Sequence, residues 1–303
     1  MMLKRTLCFE SDGSLFVKNR QLVFEPKNPE GNRASVPIED VAIVVLESRH
    51  IMVSTYALNA LAEAGSTVIV CDGCHMPSAA LLQAAGHTAT QRIVAAQLAA
   101  PEVLREQLWK QTVVAKIRNQ AACLRRNGQD GADEVELFSK FVSAGDVDNR
   151  EGSAAARYFK SWDVVRRDSR DGSVDGTNAA LNYGYAILRA ATARALAGSG
   201  LICILGIHHR NQYDAFVLAD DVMEPYRPFV DDLVLGSGVR FEAGPDGGVS
   251  RAAKIELLKL LARDVRLDGL TRPLLVALSY TTASLAACFE RKEKKIRYPE
   301  FPA

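Results

Sequence analysis

No stretch of this 303-residue chain approaches the ~20 consecutive apolar residues that a bilayer-crossing helix needs, so no membrane segment is expected. Charge of one sign is not in excess either. The balance is 37 Lys and Arg against 36 Asp and Glu, a formal net charge of +1, which excludes a wholesale polycation. A glycine-rich phosphate loop is missing, because Gly198-Ser199-Gly200 is too short and reads as a turn. The cysteines, at 8, 71, 74, 123, 203 and 288, do not pair into a compact disulfide framework. With no secretory leader at the N terminus, a reducing cytoplasm is the expected setting. Cys71-Asp72-Gly73-Cys74 has CxxC spacing, but only His75 and His87 are near enough to complete a zinc set, and structural thiols are the stronger reading.

What is present divides in two. Residues 1–85 carry short alternating or β-branched apolar stretches in LCFES, DGSLFVKNRQLVFEP and ASVPIEDVAIVVLES, punctuated by Asp12-Gly13, the Pro26 to Gly31 cluster and Pro37, and they read as a β-meander. One helix is inserted over Ser54 to Ala64, opened by a Ser cap and closed by Gly65, and a buried strand follows at Thr67 to Cys71. From about Thr90 the apolar period changes from 2 to 3.6. Helices are expected over Gln91–Ala100, Pro101–Asn127, Glu134–Ala144, Gly152–Trp162, Thr177–Leu196, Ser250–Leu261 and Arg272–Phe289, with a turn-rich hairpin or insertion at Gly236–Gly248 and an extended tail. The fold class is therefore α+β and multidomain: a β-rich domain over 1–85, then a mostly α-helical domain over 86–303.

Chemistry concentrates in GIHHRNQYDAFVLADDVMEPYRPFVDD, Gly206 to Asp232. Two histidines precede an apolar run, and Asp221 and Glu224 follow at a spacing of three, which places them on one helical face. Imidazole and carboxylates so grouped suit a hard or borderline divalent cation. A His-His pair is equally at home in a core or on a surface. Between Arg92 and Arg126 lie seven cations (Arg92, Arg105, Lys110, Lys116, Arg118, Arg125 and Arg126) against Glu102 and Glu106, whereas residues 1–90 carry seven Lys and Arg against nine Asp and Glu. Such a basic stripe suits a polyanion, or is a solvated helix face.

NREGSAAARYF (149–159), DGTNAALNYGYAIL, GIHHRN and LADDVMEPYRP, in that order, resemble the CRISPR-associated integrase of spacer acquisition in the form that accompanies single-effector systems. HIMVSTYALNALAEAGSTVIVCDGCHMP and the RYPEF ending add to the resemblance, which covers nearly the whole chain. It implies an N-terminal β domain and a helical catalytic domain with a Mg or Mn site. Carried over residue by residue, the metal ligands are Glu151, a histidine after an apolar strand and Glu224, with Asp221 as a supporting catalytic acid. The family spacing selects His209 over His208 and leaves His208 a packing or DNA-facing neighbour. Asp175 and Asn178 match a family motif that fits capping or hydrogen bonding as well as catalysis.

The resemblance further implies transesterification: a 3′-hydroxyl of a short DNA fragment attacks a repeat junction, or water attacks in the nuclease mode. It implies double-stranded DNA as partner, a homodimer built through the N-terminal domain, and a small adaptation partner protein. Val44, Leu46 and Ile51 are the apolar positions that would permit the dimer. DNA contacts are expected from Arg125, Arg126, Arg157, Lys160, Arg166, Arg167 and Arg227, with Arg227 also able to pair with a nearby acid. The competing readings are a catalytically silent DNA-binding scaffold and a metal-dependent hydrolase of small phosphorylated molecules.

Overall fold

A computed structural model of the chain describes residues 4–73, 76–83, 87–162, 176–236 and 249–302. Two compact units divide it at Gly86, Met1–Gly86 and His87–Ala303. The predicted hairpin or insertion at 236–248 lies almost entirely outside the described residues, as do Cys74, His75, Arg166, Arg167 and Asp175.

The first unit holds β1 (Arg5–Phe9), β2 (Gly13–Lys18), β3 (Gln21–Pro26), β4 (Ala34–Pro37), β5 (Val41–Leu46), β6 (Ile51–Val53), α1 (Thr55–Glu63), β7 (Thr67–Cys71) and β8 (Pro77–Leu81). The meander expectation holds only for β2-β3-β4. There are two four-stranded sheets, ordered β1-β5-β7-β8 and β4-β3-β2-β6, and β5 runs parallel to both β1 and β7. VAIVVL on β5 is a continuous apolar run because it is central and covered on both faces, as parallel strands usually are. Leu15, Leu22, Val44, Leu61 and Val68 meet in one core between sheet and helix. The dimer positions named from the sequence need correction, since Val44 is fully buried and Leu46 nearly so. Among the described residues of this unit, the large apolar side chains that are exposed are instead Met52, Tyr56, Val70 and Leu81. The cap reading of α1 is correct: the Ser54 hydroxyl accepts from the Ala57 N–H at 3.2 Å, and Gly65 takes positive φ.

The second unit comprises α2 (Thr90–Leu98), α3 (Glu102–Arg126), α4 (Ala132–Phe138), α5 (Arg150–Lys160), α6 (Gly176–Gly198), α7 (Val217–Met223), α8 (Arg227–Leu235), α9 (Arg251–Leu258), a hairpin of β9 (Asp264–Leu267) and β10 (Leu270–Pro273), and α10 (Leu274–Phe289). The hairpin goes beyond the sequence expectation. Its turn, Asp268-Gly269, has positive φ at both residues, which an Asp-Gly pair accommodates. The expected helix from Glu134 ends early: α4 stops at Phe138, a 3-10 turn covers Ser139–Phe141, Val142 is extended, and a second 3-10 turn follows at Ala144–Asp146. α6 and α8 approach closely at Gly184, where a Cβ would lie 2.5 Å from Val230 Cγ1. The C-terminal tail runs along α3, its register fixed by Gln111, which donates to the Lys294 carbonyl and accepts from the Ile296 N–H. No helix among the described residues is long and apolar enough to cross a membrane.

Candidate active site

Glu151 owes its position to the turn before α5. Asn149 caps the helix from left-handed backbone, its side chain accepting from the Gly152 N–H. The Asp146 carboxylate accepts from the Arg150 and Glu151 N–H groups, both at 2.9 Å. Two orphan donors of the first turn are thereby satisfied, and Glu151 stands near the positive end of the helix. Glu224 comes from the break between α7 and α8, where Pro225 forces a 3-10 turn. It is held from below by Asn119, whose Nδ2 donates to the Pro225 carbonyl at 2.7 Å and to the Pro299 carbonyl of the tail at 2.9 Å.

The histidine loop is built around Asp221, which is fully buried. Its Oδ2 accepts from the Ile207 and His208 N–H groups at 2.6 and 2.9 Å, and its Oδ1 lies 2.5 Å from His209 Nδ1. A carboxylate committed in this way orients the loop and the imidazole. It leaves His209 Nε2 as the nitrogen for a ligand. His208 instead stacks on the buried Trp109, with ring centroids 4.4 Å apart and planes 3° from parallel, while His209 meets the same indole edge-on. The two neighbours differ accordingly in proton affinity. The hydrogen bond that His209 donates to Asp221 raises the His209 pKa, and burial beside His209 lowers that of His208.

Glu151 and Glu224 converge on Lys116, a residue of α3 that the sequence groups with the basic stripe. Its ammonium lies 2.5 Å from Glu151 Oε1 and 2.5 Å from Glu224 Oε2. Burial pulls the Lys116 pKa down, but the two carboxylates outweigh it and the net direction is up. For Glu224, burial pushes up, and the opposing charges of Lys116 and Arg227 bring the net shift down. Arg227 Nε is 3.1 Å from Glu224 Oε1, and its guanidinium lies 4.8 Å over the Tyr185 ring. Tyr185 and Tyr158 in turn donate to the buried Asp231, whose pKa burial raises to about 6. Glu224 is thus kept ionised, with Glu151 across the shared ammonium and imidazole at the rim of the recess.

The predicted DNA-binding cations mostly have acidic partners within the chain. Arg125 pairs with Asp133 at 2.6 Å and with Glu136, and Arg126 lies 3.5 Å from Asp232. Arg157 pairs with Glu134 at 2.5 Å. Lys160 is exposed. Arg92 pairs with Glu290 at 2.6 Å. At the C-terminal end of α3, both Arg125 and Arg126 therefore lie within reach of acids of the same chain.

The family model for the CRISPR associated protein Cas1 matches residues 7–240. A CRISPR-associated endonuclease Cas1 of Neisseria meningitidis is 34% identical over 303 residues, 99% of this chain and 97% of that protein. The chain belongs to the Cas1 family. Among solved structures, a casposase bound to integration product matches 98% of this chain and 92% of its own, with a TM-score of 0.77 and 19% identity. A chain of a Cas6-RT-Cas1–Cas2 complex matches with a TM-score of 0.69 and 19% identity, over 97% of this chain and 36% of that one. At such identities these two matches establish the fold.

Within this Cas1 chain, Glu151, His209, Asp221 and Glu224 all lie in the second unit, and the predicted residues gather round one recess. Sequence reasoning missed Lys116, Trp109 and Asp146. Only Lys116 left a trace, as the stripe residue whose helical neighbours Val113, Ile117 and Gln120 are buried. Among the described residues, a tighter group of donor atoms occurs elsewhere: Cys8, Glu10 and Glu47 of the first unit offer three within 4.8 Å of one another. They lie at the adjacent ends of β1 and β5, where the Glu47 N–H donates to the Phe9 carbonyl.

Proposed function

We propose that this Cas1 protein is a metal-dependent DNA endonuclease and integrase that joins short DNA fragments into a repeat array by transesterification. The observation that carries the reading is the convergence of Glu151 and Glu224 on one buried ammonium, beside an imidazole oriented by Asp221. Carboxylates gathered round one positive charge, with an Asp-backed histidine, are a donor set that fits Mg or Mn. Bound by Glu151, His209 and Glu224, the ion would supply Lewis acidity and alignment for in-line displacement at phosphorus. The chain's own residues prepare for this. Asp221 fixes the His209 ring, Asp146 fixes the backbone of Glu151, and Arg227 with Lys116 keeps Glu224 ionised. Asp221 acts by orientation rather than as a ligand, because its oxygens are already engaged. The integration product held by the casposase of the same fold supports strand transfer as the reaction.

Partners follow the same reading. A homodimer through the first unit is supported by the exposed Met52 and Tyr56 beside the edge strand β6, and a Cas2-type partner by the complex of like fold. The test is joining of a labelled short duplex to a supercoiled repeat plasmid, with and without manganese. Metal-dependent joining that Glu151→Ala abolishes while duplex binding persists is the expected result. Binding without joining under any metal would make the protein a scaffold.

A further inference from the structure

Resting on that reading of DNA as partner, we propose that the groove between α3 and the C-terminal tail is the principal seat for the sugar-phosphate backbone, in place of the Arg125–Arg126 end of the helix. The groove measures about 620 Å³ and is lined by Lys110 and Arg118 from α3, Lys294 and Lys295 from the tail, and the single acid Glu300. No ion pair joins any of these four cations to a described residue, unlike Arg92, Lys116, Arg125 and Arg126 of the same stretch. Four like charges around one recess repel one another, and a polyanion relieves that repulsion.

The walls are fixed in advance. Gln111 holds the tail at Lys294 and Ile296, the Thr112 hydroxyl meets Tyr298 Oη at 2.8 Å, and Asn119 binds the Pro299 carbonyl. Asn119 lines the groove and also binds Pro225, the residue after Glu224. Through this one side chain the groove is tied to the turn that carries Glu224. Cations already committed to Asp133, Glu136 and Asp232 would have to break those pairs to reach phosphate, whereas these need break none.

The experiment measures affinity of a short blunt duplex, and of one of its strands alone, as a function of salt. The variants are Lys110→Gln/Arg118→Gln, Lys294→Gln/Lys295→Gln and Arg125→Gln/Arg126→Gln in the full chain. Each groove double variant should weaken binding on the order of tenfold and reduce the slope of log affinity against log salt by about two, one for each phosphate left without its cation. The Arg125/Arg126 variant should change neither. The tail variant guards against misfolding, since both lysines are exposed. Weakening with the duplex, the single strand or both supports the groove and identifies the form it takes. Unchanged affinity and slope in both groove variants overturn it, as does a larger effect from Arg125/Arg126. A wild-type protein that binds no DNA would refute the underlying reading instead.

Discussion

Two carboxylate centres lie side by side in the helical unit, and they are stabilised by opposite means. At the recess, Glu151 and Glu224 are compensated by full charges, Lys116 and Arg227. Behind it, Asp231 is compensated by the hydroxyls of Tyr158 and Tyr185, and burial raises its pKa to about 6. The first arrangement holds the pKa of Glu224 below its ordinary value. The second tolerates a neutral carboxyl and serves packing. Burial alone therefore does not fix the charge of an enclosed acid; the nature of the compensating group does.

The comparison is broken most forcefully at Lys116. Lys116→Met leaves the buried Glu224 and the half-buried Glu151 short of a cation, and the loss should be about 3–5 kcal/mol of unfolding free energy by denaturant titration. Manganese should restore part of it, and adding Glu224→Gln to Lys116→Met should soften it. Next in size is Asp231. A carboxyl raised from 3.8 to about 6 on folding contributes stability that is present below pH 3.8 and lost as pH rises towards 6. The stability of Asp231→Asn relative to wild type should thus climb by roughly 3 kcal/mol over that window. Stability curves at several pH values that run parallel would remove the distinction between the two centres.

Smaller effects sharpen it. Gly184→Ala pushes a methyl group against Val230 at the α6–α8 crossing, next to Tyr185 and Asp231, and should cost about 1–3 kcal/mol in thermal unfolding. His208→Ala forfeits only the stack on Trp109, worth about 0.5–1.5 kcal/mol, and should retain substantial joining activity. His209→Ala should lose it.

The parts legible in the sequence are those set by local rules. The Ser54 cap, the covered run of β5 and the change of period near Thr90 each follow from neighbours along the chain. That Glu151, His209, Asp221 and Glu224 come near one another is what the resemblance implies, since the motifs that hold them are far apart along the chain. The parallel pairing of β1, β5 and β7 is not legible, because a continuous apolar strand is the same string whichever partner it takes. Nor is the fate of the basic stripe. Arg126 finds Asp232, and Lys116 finds Glu151 and Glu224, through tertiary contacts that the local sequence does not encode. The Asp268-Gly269 hairpin is different in kind, since its turn signal stands in the sequence and needs only a pair of flanking strands to be read.

The central claim is that Glu151, Glu224 and His209 together hold a divalent ion. Calorimetric titration of manganese into the wild type, Glu224→Gln, His208→Ala and His209→Ala tests it without relying on turnover. One site per chain is predicted, nearly unchanged in His208→Ala and weakened by about 10–100-fold or more in Glu224→Gln and His209→Ala. Equal affinity in all four proteins, or loss in His208→Ala alone, would contradict it.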